Sequence, residues 1–136
     1  MIGMSMALRN QRLDRIRDAI DGANGTGKVE IYSDPRPSTG SAPAGAVMLT
    51  TLNFSRPCAP KASDGRSIFH PINPNGLVKA TGTAAWARLK DASGVFLLDL
   101  SVSQIGGQGE MQFGRLDFKA GQQVSLKNFV LTEDNA

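Results

Sequence analysis

Trp86-Ala-Arg-Leu-Lys-Asp-Ala-Ser-Gly-Val-Phe-Leu-Leu-Asp-Leu-Ser-Val102 is the stretch that decides the class of fold. Its two apolar runs flank Asp91-Ala-Ser-Gly94, a cluster of turn formers that reads as a hairpin turn. In the second run Phe96, Leu98, Leu100 and Val102 alternate with Val95, Leu97, Asp99 and Ser101. That two-residue period puts the first set on one face of a strand.

Similar runs lie on both sides. Upstream, Val29 and Ile31 alternate with Glu30 and Tyr32, and Val47 to Phe54 reads as a strand with Met48, Leu52 and Phe54 on one face. Ile68 to Ile72 is a short apolar piece that Pro71 confines to a sheet edge or an extended loop. Leu77 to Leu89 reads as one bent strand or two strands separated near Gly82. Downstream, Ile105-Gly-Gly-Gln-Gly109 and Ala120-Gly121 read as turns between Val95 to Val102, Met111 to Phe118 (kinked at Gly114) and Val124 to Thr132, with a frayed tail from Glu133. About seven short strands with no helical stretch between them exclude a βαβ scheme and predict an antiparallel, jelly-roll-like β-sandwich.

One segment has a different period. Met6, Leu13, Ile16 and Ile20 recur at helical spacing, which predicts an amphipathic helix from about Ser5 to Asp21, with Ser5 as N-cap and Gly22 as its stop. The chain is therefore expected to be one mainly β domain, with the helix in residues 1–22 and the sandwich in residues 23–136. The helix charges run against its own dipole: Arg9 and Arg12 lie near the N-terminus, Asp18 and Asp21 near the C-terminus. Pairs of Asp14 with Arg17 and of Arg17 with Asp21 are within reach along the helix. A reversed charge order does nothing for the helix itself; the plainer reading is a solvated face, and the functional one is that these side chains meet groups on a partner.

The 136 residues suffice to bury one core. The formal net charge is +3, but the cations outside the helix are scattered, which argues against a nucleic-acid footprint. A single cysteine, Cys58, excludes an internal disulfide and suits a reducing compartment. No secretory signal and no apolar run of membrane-spanning length is visible, so the chain is read as made in the cytoplasm.

Few residues suggest chemistry. Gly22-Ala-Asn-Gly-Thr-Gly27-Lys28 matches part of a phosphate-binding loop, but it leaves a helix and opens a strand, the reverse of what converges amides on phosphate, and Val29 stands where a metal-binding hydroxyl is needed. His70 has no companion at metal-ligand spacing. Cys58 and His70 share a loop-rich region, without an identifiable third group to orient a catalytic pair. Glu30, Asp99, Glu110 and Asp117 come from different strands, where two carboxylates that happened to face each other would imitate a glycosidase pair. Trp86 and Tyr32 would be the stacking platform of a carbohydrate-binding module, although core packing is the plainer reading. No enzyme, cofactor or metal site is expected.

The order Leu8-Arg9-Asn10, Arg12-Leu13-Asp14, Ile16-Arg17-Asp18-Ala19-Ile20-Asp21, Val29-Glu-Ile-Tyr32 and Arg36-Pro-Ser-Thr-Gly40, with Ala80-Thr-Gly-Thr-Ala-Ala-Trp-Ala-Arg88, resembles small structural proteins of tailed bacteriophages. Among these it is most similar to the cement, or decoration, proteins of short-tailed phage heads. The resemblance implies a virion protein on the capsid surface that bridges neighbouring major capsid protein subunits and pairs with itself as a homodimer, or a trimer. It implies that the helix and the long loops meet the capsid, and the small and polar residues of loops 33–45 and 55–67 suit ordering on that surface. The cations expected at such contacts are Arg9, Arg12 and Arg15 of the helix and Arg36 and Arg56 of the loops, with neither nucleic acid nor membrane as partner. A tail or neck protein is the alternative within the virion.

Overall fold

The computed structural model describes residues 3–22, 25–72 and 77–133. Ser5 caps helix α1 (Met6–Asp21) as the sequence predicts, its Oγ accepting from the Leu8 amide at 3.1 Å. Gly22, at φ 56°, closes the helix by donating to the Asp18 carbonyl. Among the described residues nine strands follow: β1 (Lys28–Tyr32), β2 (Met48–Asn53), β3 (Arg66–Ile68), β4 (Gly82–Thr83), β5 (Trp86–Lys90), β6 (Phe96–Gln104), β7 (Met111–Phe113), β8 (Asp117–Phe118) and β9 (Asn128–Thr132). The protein is thus mainly β, with one helix at the N-terminal end.

Seven strands form a sheet in the order β2-β1-β5-β6-β7-β9-β3, and β4 pairs with β8. The sheet curls over on itself. Phe54, just past β2 at one end of that order, lies 6.2 Å from Phe129 of β9, and both rings pack with Phe69. The inner faces of the two halves therefore share one core that includes Val29, Ile31, Leu52, Leu89, Leu100, Met111, Phe113 and Leu126, and Leu13 and Ile20 of α1 complete it. The β5–β6 hairpin is the one expected: the Asp91 carboxylate accepts from the Ser93 and Val95 amides, and Gly94 sits at φ 86°.

Four details depart from the sequence expectation. Between Leu89 and Lys90 the pairing with β6 slips by one residue, since Leu89 faces Leu98 but Lys90 faces Phe96. The extra residue, Leu97, turns Phe96 out of the core face, where simple alternation would keep it. A second slip, between Ile31 and Tyr32, buries Leu49 completely and leaves Met48 half-buried. The stretch expected as a single last strand forms β9 only from Asn128, preceded by isolated bridges at Gln123 and Leu126.

The fourth departure is topological. β6 and β7 run parallel, with Val102 beside Met111 and Gln104 beside Phe113, so Ile105-Gly-Gly-Gln-Gly109 is a return crossover and not an antiparallel turn. Parallel neighbours normally need a crossover of about a dozen residues or more. Here glycine allows a shorter path, because a Cβ on Gly109 would lie 2.6 Å from the Ser103 amide nitrogen and one on Gly107 2.7 Å from Ser103 Oγ. The Gly109 amide donates to Ser103 Oγ, and the Glu110 carboxylate accepts from the Ser101 amide, so the loop is stitched to the strand it crosses.

Candidate functional site

The helix is bound to the body by its polar side chains as much as by Leu13 and Ile20. Asn10 Oδ1 accepts from the Gly65 amide at 2.9 Å, Asp14 Oδ1 from Ala62 at 2.7 Å and Asp21 Oδ1 from Cys58 at 2.9 Å. Positions 10, 14 and 21 form one stripe along the helix, and it satisfies backbone donors of the 55–67 loop. Arg9 Nη1 donates to the Glu133 carbonyl at 3.0 Å, which ties the helix to the end of β9. Asp14 and Asp21 thus serve the loop, while Arg17 pairs with its neighbour Asp18 at 3.0 Å and not with either of them. An amide fixed by the fold is a better partner for a part-buried carboxylate than a mobile surface cation. The reversed charge order expected to await a partner is accounted for in part by the chain's own backbone.

The five candidate arginines fall into separate roles. Arg36 donates to the Asp99 carbonyl and to Ser101 Oγ, each at 3.1 Å, and Arg56 to the carbonyls of Gly22 at 2.8 Å and Gly25 at 3.3 Å. Arg36, Arg56 and Arg9 therefore hold loops and helix in place. Arg12 pairs with the Glu133 carboxylate at 3.2 Å and stays half exposed. Arg15 has no hydrogen-bond or ion-pair partner among the described residues.

Arg12 and Arg15 border a trough on the outer side of α1. One part, of about 400 Å³, lies among Gln11, Arg12, Arg15, Ile16 and Glu133. The other, of about 130 Å³, has Ile16, Ala19, Leu97 and Leu98 as an apolar floor and Arg15 at its lip. Arg15 and Ile16 line both, so the two parts adjoin at the seam between α1 and β6. Ile16 was assigned to the buried stripe and Leu97 to the outward set. The signal for this surface was the surplus of apolar residues in Val95-Phe-Leu-Leu98, four in a row on a strand with one core face.

On the far side of the sheet, the 33–45 loop is closed over an ionic and aromatic cluster. The Arg88 guanidinium grips Asp99 through two contacts, Nε–Oδ1 at 2.8 Å and Nη2–Oδ2 at 3.1 Å, and donates to the Ser41 carbonyl at 2.7 Å. Gly40 donates its amide to Asp99 Oδ2 at 2.9 Å. The guanidinium also lies over the rings of Trp86 and Phe96, 5.3 and 5.2 Å from their centroids. Burial alone would raise the Asp99 carboxyl, but hydrogen bonds from Arg88 and Gly40 and the charges of Arg88 and Arg36 outweigh it and hold the group below the usual carboxylate range. Trp86 stacks on Tyr32 at 4.5 Å and donates to the Ser33 carbonyl. With Trp86 1 % and Tyr32 7 % exposed, neither ring is open to stack a sugar. The loop expected to order on a partner is already fastened here, as the 55–67 loop is by the helix.

Of the other candidates for chemistry, Cys58, Glu30 and Glu110 have structural partners. The Cys58 thiol is fully buried, donates toward the Arg17 carbonyl and is pushed up to about 12, by burial first and then by its hydrogen bond and charge interaction with Asp21. It meets His70 only through the backbone, His70 donating its amide to the Cys58 carbonyl at 2.9 Å. Glu30 holds Tyr32 and Lys90, and Glu110 caps Ser101, while Asp117 borders a groove of about 410 Å³ with Arg115, Gln122 and Lys127. In the glycine motif, Ala23 and Asn24 lie outside the described residues; the remainder runs from α1 into β1, and Gly27 leaves room for Ile20, whose Cγ2 a Cβ would approach to 2.7 Å. Among the described residues no group of three His, Cys, Asp or Glu side chains is placed to hold a metal, and no helix is long and apolar enough to cross a membrane. No family model matches the chain, and neither does any curated protein or solved structure compared with it.

Proposed function

We propose that the chain is a structural binding protein of a phage particle, a cement protein that sits on the outside of the head and bridges neighbouring major capsid protein subunits. The observation that carries the reading is the helix: it is fastened to the β body along one side, and its other side keeps an uncommitted arginine beside an apolar seam. A protein whose work is to hold onto other proteins needs such a rigid, pre-ordered face, because ordering it at the moment of binding would cost affinity. The likeness of segments 8–10, 12–14, 16–21, 29–32, 36–40 and 80–88 to small structural proteins of tailed phages, and among these to cement proteins, supports the choice of partner. Repeated engagement of a symmetric lattice, by a homodimer or trimer, would turn modest contacts into firm attachment and stabilise the assembled shell by mass action.

Quantitative mass spectrometry of purified particles tests this. Several hundred copies per particle are expected for a shell protein, whereas about six or twelve, the number set by ring symmetry, identify the tail or neck alternative. Absence of the chain from particles refutes both.

A further inference from the structure

We infer that the trough between α1 and β6 is the docking site for an extended segment of a partner protein that carries a branched apolar side chain next to carboxylates. This rests on the partner-binding reading above and names the surface and the chemistry it selects. The apolar half, floored by Ile16, Ala19, Leu97 and Leu98 and about 130 Å³ in volume, falls below the roughly 300–1,000 Å³ of a small-molecule pocket and suits an aliphatic side chain of a protein partner. The cationic half selects acid. Among the described residues Arg15 has no hydrogen-bond or ion-pair partner, and its side chain lines both parts of the trough. The chain shows the chemistry at one end of the trough, where the Glu133 carboxylate rests on Arg12 at 3.2 Å and leaves Arg15 open. Among the described residues, Arg15 is the one of the five cations expected to meet a partner that has no internal partner, which makes it the residue that reads the partner's charge.

The probe is a short peptide alternating Leu and Glu, titrated into the full chain labelled with ¹⁵N, with a Leu/Gln peptide as control. Amide shifts are expected at Arg15, Ile16, Ala19, Leu97 and Leu98. The Gln peptide should bind about two- to threefold more weakly, the loss of one exposed ion pair. Arg15→Gln should abolish the preference and Arg15→Glu should reverse it, while the melting temperature of both variants stays that of the parent, since Arg15 has no partner among the described residues. Equal binding of the two peptides, no shifts, or shifts confined to other surfaces overturn the inference. So does a gain in affinity when residues 134–136 are deleted, which makes the chain's own end the occupant, or a dependence of the same shifts on protein concentration, which makes it a second copy. Particles that carry Arg15→Glu protein at full copy number overturn this site and leave the cement reading standing. Wild-type chain missing from particles removes the cement reading, while the peptide titration still decides the trough.

Discussion

Replacing Arg88 by Met should destabilise the protein by about 3–5 kcal/mol, the usual cost of removing one member of a buried ion pair. The magnitude follows from what is left behind. The side chains of Arg88 and Asp99 are 7 % and 0 % exposed, and the substitution strips Asp99 of two charge-assisted hydrogen bonds, leaving the Gly40 amide as its donor. Met keeps the apolar stem but loses the bond to the Ser41 carbonyl and the stacking over Trp86 and Phe96. The double substitution Arg88→Met with Asp99→Leu leaves no buried charge, and Gly40 and Ser41 are exposed, so water can take up their freed backbone groups. The double variant should therefore be more stable than Arg88→Met, within about 1–2 kcal/mol of the parent. Urea unfolding followed by the fluorescence of Trp86, the single tryptophan, measures all three proteins. A loss under about 1 kcal/mol for Arg88→Met, or a double variant less stable than the single one, would refute the claim that the pair is a buried, mutually dependent clasp.

Asp99 has a lowered carboxyl in the folded state, so its share of stability is present above the ordinary carboxylate range and lost as pH falls below it; Asp99→Asn should flatten the acid limb of the stability curve measured by urea midpoints. Cys58, raised to about 12 from an ordinary 9.0, and Tyr32, raised to about 12 from 10.0 by burial and its bond to Glu30, act in the opposite sense, and stability should fall as pH rises above about 9. A thiol reagent at pH 8 should accordingly label Cys58 only after unfolding, and rapid labelling of the native protein would contradict its burial. Gly109→Ala should cost more than about 2 kcal/mol because the new methyl meets the backbone of Val102 and Ser103, whereas Gly114→Ala, with nothing within 4 Å, should stay within about 0.5 kcal/mol; melting temperatures separate the two. Asp14→Ala and Asp21→Ala should each cost about 1 kcal/mol and speed hydrogen exchange at Ala62 and Cys58, their backbone partners.

The local grammar of this chain was legible without a structure. Ser5 and Gly22 bound the helix because capping and left-handed exit are decided by neighbouring residues, and Asp91–Gly94 closes the hairpin for the same reason. The two-residue period of Val29 to Tyr32 and of Leu98 to Leu100 gave the core face correctly. What alternation could not reveal was where pairing slips: Leu97 and Leu49 take the extra place only because a neighbouring strand imposes its register, and Phe96 follows outward. Nor could the glycines of residues 105–109 announce a parallel return, since glycine serves a turn and a close approach equally well. The charges show the same division. A sequence tells which acids and bases stand at positions 14, 21, 36 and 56, but only long-range folding brings Ala62, Cys58, Asp99 and Gly22 to Asp14, Asp21, Arg36 and Arg56. Those contacts span distant segments and turned four side chains expected at the surface or at a partner into internal fastenings. By the same step, Arg15 and the seam of Ile16, Ala19, Leu97 and Leu98 became a surface, because the helix is held on one side and leaves the other uncovered.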